Sequence, residues 1–328
     1  MTRLVAGLAV VAVAFVGLVL MLQTHAQPAI PGEAAQDTFA GDRDSGFDAD
    51  KAFDYLKRIC NLGPRVSGTE AMKRQQDMLR KHFEQYGAKV VNQRFTARQR
   101  SQRDPVEMNN LIVSWYPERT RRILISTHYD TRPIADQEPI HERWNKGFLG
   151  ANDGASGVGL MMELGKHIKD LQTAVGIDFV FFDGEEYIFD PGEGRDRYFF
   201  GSDYFAGQYA RSRGRDRYIG GILLDMVGGK GANFLVERNS WMSAGQLVQQ
   251  IWGIAEAEKC ATFDRHFGVE ILDDHLGLNR ARIPTIDIID DHYLKTHWHR
   301  LSDRPENCSP ETLGEVARVL IAWLKKVK

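Results

Sequence analysis

Cysteine is scarce in this 328-residue chain, which holds only Cys60, Cys260 and Cys308. An odd count allows one disulfide at most, and neither a CxxC pair nor a Cys/His zinc-ribbon spacing occurs. A disulfide scaffold and a thiolate metal site are therefore excluded, and all three thiols read as small buried hydrophobes. A charge excess of one sign is also missing. Lys and Arg number 42 against 44 Asp and Glu, for a net charge of -2. Interspersed charges of this kind give no basis for nucleic-acid binding. The one basic cluster, Arg211, Arg213, Arg215 and Arg217, is broken by Ser212, Gly214 and Asp216 and reads as a solvated loop. Internal repeats and low-complexity segments are absent, so a repeat architecture is excluded.

Long apolar runs are confined to one place. Arg3 is followed by LVAGLAVVAVAFVGLVLML, residues 4 to 22, without charge or proline. That length is at the threshold for a membrane span and longer than a usual signal core, so residues 1–26 are expected to be a signal peptide or a membrane anchor. Either places the remainder outside the cytoplasm: periplasmic, secreted, or anchored and facing outward. Residues 27–46, rich in Ala, Pro, Gly and acids, read as a flexible linker. Residues 47–328 are then expected to form one folded domain.

Within that domain, Asp48 to Cys60 has helical periodicity, and Ser67-Gly-Thr-Glu70 reads as a capping box opening a second helix to about Tyr86. Residues 89 to 95 and 110 to 115 read as strands. Short β-branched runs then alternate with helical stretches: strand 122–126, helix 155–171, strand 177–182, helix 202–209, strand 221–224, helix 243–258 and strand 284–289. A last helix begins with Ser309 as N-cap and Pro310 in its first turn. Nearly continuous apolar strands separated by helices predict a single α/β domain: a mixed, mostly parallel sheet covered by helices on both faces.

Ligands bind at the carboxyl ends of such strands, and here those ends carry acids and imidazoles. RILIS runs into His128-Tyr129-Asp130, IDFVFF into Asp183-Gly184-Glu185-Glu186, and GILL into Asp225-Met226. PTIDII is followed by Asp290, Asp291 and then His297-Trp298-His299, while GANDGASG delivers Asp153 at a helix start. Taken singly, His128 reads as a satisfied strand-end histidine and Asp153 as a helix cap. Gathered in one cleft, that many carboxylates repel, and desolvating each costs several kcal/mol. A divalent cation removes the penalty, and mixed imidazole and carboxylate ligands suit zinc with an open position. Glu185 and Glu186 leave the backbone in different directions, so one can hold the ion while its neighbour serves as general acid and base.

In order and spacing, HYD, GANDGASG, FFDGEE, LLDMVGG and WH resemble the M28 zinc peptidase superfamily over roughly residues 48 to 327. Asp273-Asp274-His275-Leu276, Trp298-His299, HYDTRPIAD and FLGANDGASGVG are most similar to bacterial glutaminyl-peptide cyclotransferases. The resemblance implies zinc held by Asp153, Glu186 and His299, with Glu185 shuttling a proton. Asp225 and Asp273 become hydrogen-bonding partners of Glu185 and of the substrate amine, and Trp298, Met226 and Ile271 wall the pocket. A cyclase of this kind acts as a monomer on peptide and protein N-termini, turning N-terminal Gln into pyroglutamate with loss of ammonia. The same resemblance leaves a zinc aminopeptidase open, in which Glu185 activates a water and two zincs are held through His128, Asp153, Glu186, Asp225 and His299. An inactive metal-binding scaffold is a third reading, disfavoured by the intact Glu185. Animal cyclases carry a His-Trp pair shortly after GEE, whereas Asp190-Pro191 stands here, in a stretch (residues 187 to 200) expected to loop over the site. The aromatic set Tyr198, Phe199, Phe200, Tyr204 and Phe205 is expected in core and loop packing, His292 and His297 in solvated loops, and His275 either beside Asp273 or in simple packing.

Overall fold

Helix α1 (Ala49–Cys60) is capped by Asp48, whose side chain accepts from Lys51 N. Helix α2 (Glu70–Gln85) is capped by Thr69 and not by Ser67. Gly68 turns the chain between the two at φ +80°, and the Ser67 hydroxyl is diverted to Asp183 Oδ1 at 2.6 Å. A buried carboxylate needs a donor more than a helix end that water can reach. The computed structural model describes residues 29–30, 46–192, 195–212 and 217–327. The apolar run 4–22, most of the expected linker, and Arg213 and Arg215 lie outside them. Inside the linker stretch, Ala29 bridges His266 and Ile30 is buried, so the chain packs on the domain there. Among the described residues no helix is long and apolar enough to cross a membrane.

The remaining elements are β1 (Lys89–Ala97), β2 (Val106–Trp115), β3 (Arg121–His128), α3 (Ala155–Gly165), β4 (Gly176–Phe182), α4 (Phe200–Arg211), β5 (Arg217–Asp225) and β6 (Phe234–Val236). They continue with α5 (Arg238–Ala257), β7 (Phe263–Phe267), α6 (His275–Arg280), β8 (Thr285–Ile289), α7 (Asp291–Thr296) and α8 (Pro310–Lys326). Helix α3 stops at Gly165, short of the expected residue 171, because bonding tightens there: Lys166 N and His167 N reach Glu163 O and Leu164 O, three residues back. Helix α5 starts at Arg238, where Glu237 caps it, and the expected start near Ser243 coincides with a break at Ala244 (φ -144°, ψ 42°). The short parallel pair β6 and β7 was too brief to stand out as strands in the sequence.

Six strands form one sheet in the order β1-β2-β4-β3-β5-β8. Strands β4, β3, β5 and β8 run parallel, while β1 and β2 are antiparallel at one edge. The expected mixed, mostly parallel sheet is therefore present. Side chains alternate between its faces: Ile123 and Ile125 join the larger core with α1, α2, α3 and α8, and Leu124 joins Phe205 of α4 and Leu278 of α6 on the other. The three cysteines are free and buried.

At the end of the sheet away from the site, Arg122 Nε and Nη2 each lie 2.6 Å from an oxygen of Asp178. Ser114 Oγ and Tyr218 Oη donate to the same carboxylate, joining β2, β3, β4 and β5. Replacing Arg122 by Met strands a buried charge, so urea unfolding is expected to show a loss of about 3–5 kcal/mol, with metal content of the folded fraction unchanged.

Candidate active site

The parallel strands end together, and their carboxyl termini present His128, Glu185, Glu186 and Asp225 to one cleft. Five positive-φ residues shape it. Gly154 (φ +97°) precedes α3, and a Cβ there would stand 2.9 Å from Asp130 O and 3.2 Å from His128 Cε1. Gly184 (φ +76°) turns β4 against Met108, leaving no room for a side chain. Phe199, Met226 and His299, beside the cleft, hold left-handed φ of 65°, 49° and 52°, a strained backbone region for residues with a Cβ.

Asp130, fully buried, holds the two glutamates apart. Its Oδ1 accepts from Glu185 N at 3.2 Å and its Oδ2 from Glu186 N at 3.0 Å. The side chains then diverge. Glu186 Oε1 meets His299 Nε2 at 3.1 Å, while a Glu185 oxygen lies 3.8 Å from His128 Nδ1. Asp153 stands between the two histidines. One oxygen is 3.1 Å from His128 Nε2, and the other is 3.7 Å from His299 Nε2. His128 Nε2 is also 3.2 Å from Asp225 Oδ1. Two ligand triads thus share Asp153: Asp153/Glu186/His299 and His128/Asp153/Asp225. Asp153 does not cap α3, since the N-cap is Gly154 without a side-chain bond, so the simple capping role is overturned.

These groups need positive charge. Burial and then the Glu186 carboxylate push Asp153 up to about 7. Burial and Glu186 likewise raise Glu185 well above the carboxylate range. Burial also works against the charge on Glu186, but His299 and Arg132 outweigh it and hold that carboxyl low. Burial pulls His299 down, yet the Glu186 carboxylate carries it up to about 9. Asp153 Oδ2 is buried without a hydrogen-bond partner. An orphaned oxygen between imidazole and carboxylate donors is what a divalent cation satisfies. The His299 Nδ1 edge faces Asp136 Oδ1 at 3.1 Å, the outer carboxylate that orients many metal-binding histidines. Asp303 accepts from Asn152 N and Asp153 N, fixing the loop that carries the shared acid.

A cavity of about 450 Å³ opens over the triads, lined by Asp153, Glu185, Glu186, Tyr198, Phe199, Asp225, Glu270, Ile271, Leu272, Asp273, Ile289, Leu294 and Trp298. Asp273 is 5% exposed and its Oδ2 has no partner. Burial, then Asp225 and Asp274, raise its carboxyl well above the usual range. The Trp298 ring lies 3.8 Å from that of His299, centroid to centroid. Ile271 is in the wall as expected, but Met226 is not. Strand β5 ends at Asp225, and the left-handed Met226 after it is buried beneath the wall, clustered with Ile289 and Tyr293 under Ile271, Leu294 and Trp298. Tyr198 and Phe199 line the cavity, whereas Tyr204 stacks on Phe95 and Phe205 packs in the core. The first two therefore depart from the packing role expected of the whole set. His275 is buried, 3.3 Å from Glu237 and 3.9 Å from Asp287, while His292 is exposed and His297 Nδ1 meets Ser302 Oγ. Asp130, Arg132, Asp136 and Asp303 carry positions that the sequence did not assign, and Tyr198 one that it assigned to packing; the HYDTRPIAD stretch contains the first three.

Residues 110–324 match peptidase family M28. The chain is 45% identical to a glutaminyl cyclase of Fimbriiglobus ruber, with a TM-score of 0.84 over 92% of this chain and 100% of that one. It is 36% identical to a leucine aminopeptidase precursor of Bacteroides thetaiotaomicron, with a TM-score of 0.79 over 86% and 98%. It is 23% identical to the glutaminyl-peptide cyclotransferase of Bos taurus, over 65% of this chain and 64% of the bovine length. With more than half its length matched, the chain belongs to peptidase family M28.

Proposed function

We propose that this protein is a zinc-dependent glutaminyl-peptide cyclotransferase that closes N-terminal Gln of peptides and proteins into pyroglutamate. The observation that carries the reading is Asp273, a buried carboxyl that lines the cavity with an unpartnered oxygen and belongs to neither triad built on Asp153, but to a separate buried group with His275 and Asp287. Together with Asp225 and Glu185 it surrounds the place of a substrate α-amine with acids, and the likeness to the F. ruber cyclase supports the same reaction. In this proposal Asp153, Glu186 and His299 would hold one zinc, which would supply Lewis-acid polarisation of the γ-carboxamide carbonyl. Asp225 and Asp273 receive and orient the α-amino group, and Trp298 and Ile271 exclude water and hold the side chain folded toward its own N-terminus. The amine nitrogen forms a bond to the γ-carbon, Glu185 takes its proton, and the bond to the departing nitrogen breaks. Glu185 returns the proton, so ammonia leaves and the peptide chain stays intact. The apolar run 4–22 supports an extracytoplasmic location.

Aminopeptidase hydrolysis is the second reading, favoured by the second triad, His128/Asp153/Asp225, which is preserved in full. Incubation of the purified protein with Gln-initiated and Leu-initiated peptides, followed by mass spectrometry, separates the two. Loss of ammonia from the Gln peptide, with the Leu peptide untouched, is expected, and release of a whole residue from either one contradicts the proposal. Metal analysis of active protein is expected to give close to one zinc per chain. Chelation should abolish turnover and zinc restore it, whereas activity that rises only as a second equivalent binds contradicts the single-zinc assignment.

A further inference from the structure

We propose that Arg132 is a positioning residue that couples metal binding to the shape of the substrate pocket, fastening Tyr198 to the ligands. The inference rests on the metal assignment above. Arg132 is 1% exposed, and its guanidinium is divided among three partners. Nε and Nη2 grip Asp136 at 2.7 and 3.0 Å. Nη1 lies 3.4 and 3.5 Å from the two oxygens of Glu186. Nη2 also donates to the Tyr198 hydroxyl at 2.9 Å. Asp136 in turn faces His299 Nδ1. One planar group therefore reaches two residues of the Asp153/Glu186/His299 triad, Glu186 directly and His299 through Asp136, and a wall of the cavity besides.

Tyr198 needs such a fastening. Residues 195–199 belong to no helix or strand. Asp196 is tied to Ser101, Phe189 and Asp190, and Arg197 to Gln99, while the Tyr198 side chain between them and the cavity bonds only Arg132 among the described contacts. Charge on Glu186 that a cation neutralises no longer competes for the guanidinium, which strengthens its hold on Asp136 and Tyr198. A lysine cannot replace it, because a single ammonium lacks the fork that serves several acceptors at once.

Hydrogen exchange read by mass spectrometry, on the full chain with and without zinc, tests this. Zinc is expected to slow exchange at residues 195–199 in the wild type. In Tyr198→Phe, which removes only the hydroxyl, zinc binds with unchanged affinity, the protection at 195–199 is lost, and KM for a Gln peptide rises about tenfold, as the loss of one hydrogen bond predicts. Arg132→Lys should lose the same protection and bind zinc more weakly. Protection that survives in Tyr198→Phe overturns the proposal, as does zinc-bound wild type without any change at 195–199. A domain-wide rise in exchange in Arg132→Lys, equal with and without zinc, assigns Arg132 a merely stabilising role and also overturns it. Wild type that binds no zinc defeats the metal assignment first.

Discussion

Asp153 gives one oxygen to His128 and turns the other, without a partner, toward His299. Much of the site answers to that buried carboxylate. Asp303 holds its backbone, Gly154 lets its loop pass close under His128, and Glu186 crowds it with a second charge. Left alone, such a cluster costs several kcal/mol in desolvation and repulsion. A cation turns the same arrangement into a stable one. Asp130 solves a local version of the problem, since by binding both amides of the glutamate pair it aims the two acids at different partners.

The sheet and most of the acids were legible in the sequence because parallel strands are continuous apolar runs and their carboxyl ends share one edge. His128, Glu185, Glu186 and Asp225 follow from strand ends alone. Arg132 and Asp136 were not legible, although they are four residues apart, because Pro133 rules out the helix that would make such spacing meaningful. Their partners Tyr198 and His299 lie more than sixty residues away and meet them only in three dimensions. Met226 went astray for a simpler reason: the strand stops at Asp225, and a left-handed turn at Met226 buries it beneath the wall it was expected to form. Ser67 had the right neighbours for a cap and was taken instead by Asp183.

The reaction is decided by what surrounds the metal ligands. Both ligand triads are intact, and relatives named for cyclisation and for peptide hydrolysis share the fold at 45% and 36% identity. In the proposed reading Asp273 and the aromatic wall carry the distinction. Where animal cyclases have a His-Trp pair, this chain runs through Asp190-Pro191 and brings Tyr198 and Phe199 to the cavity. Aromatic surface reaches the pocket by another stretch of the same loop. Asp196 secures that loop by accepting from Phe189 N, Asp190 N and Ser101.

The central claim is a division of labour between two adjacent acids, Glu186 holding the metal and Glu185 moving the proton. Zinc content and turnover measured together on Glu185→Gln and Glu186→Gln test it most directly. The account predicts that Glu185→Gln keeps its zinc and loses a factor of about 10²–10⁴ in kcat, while Glu186→Gln loses the zinc itself. Unchanged turnover in zinc-loaded Glu185→Gln, or full zinc retention in Glu186→Gln, would contradict it.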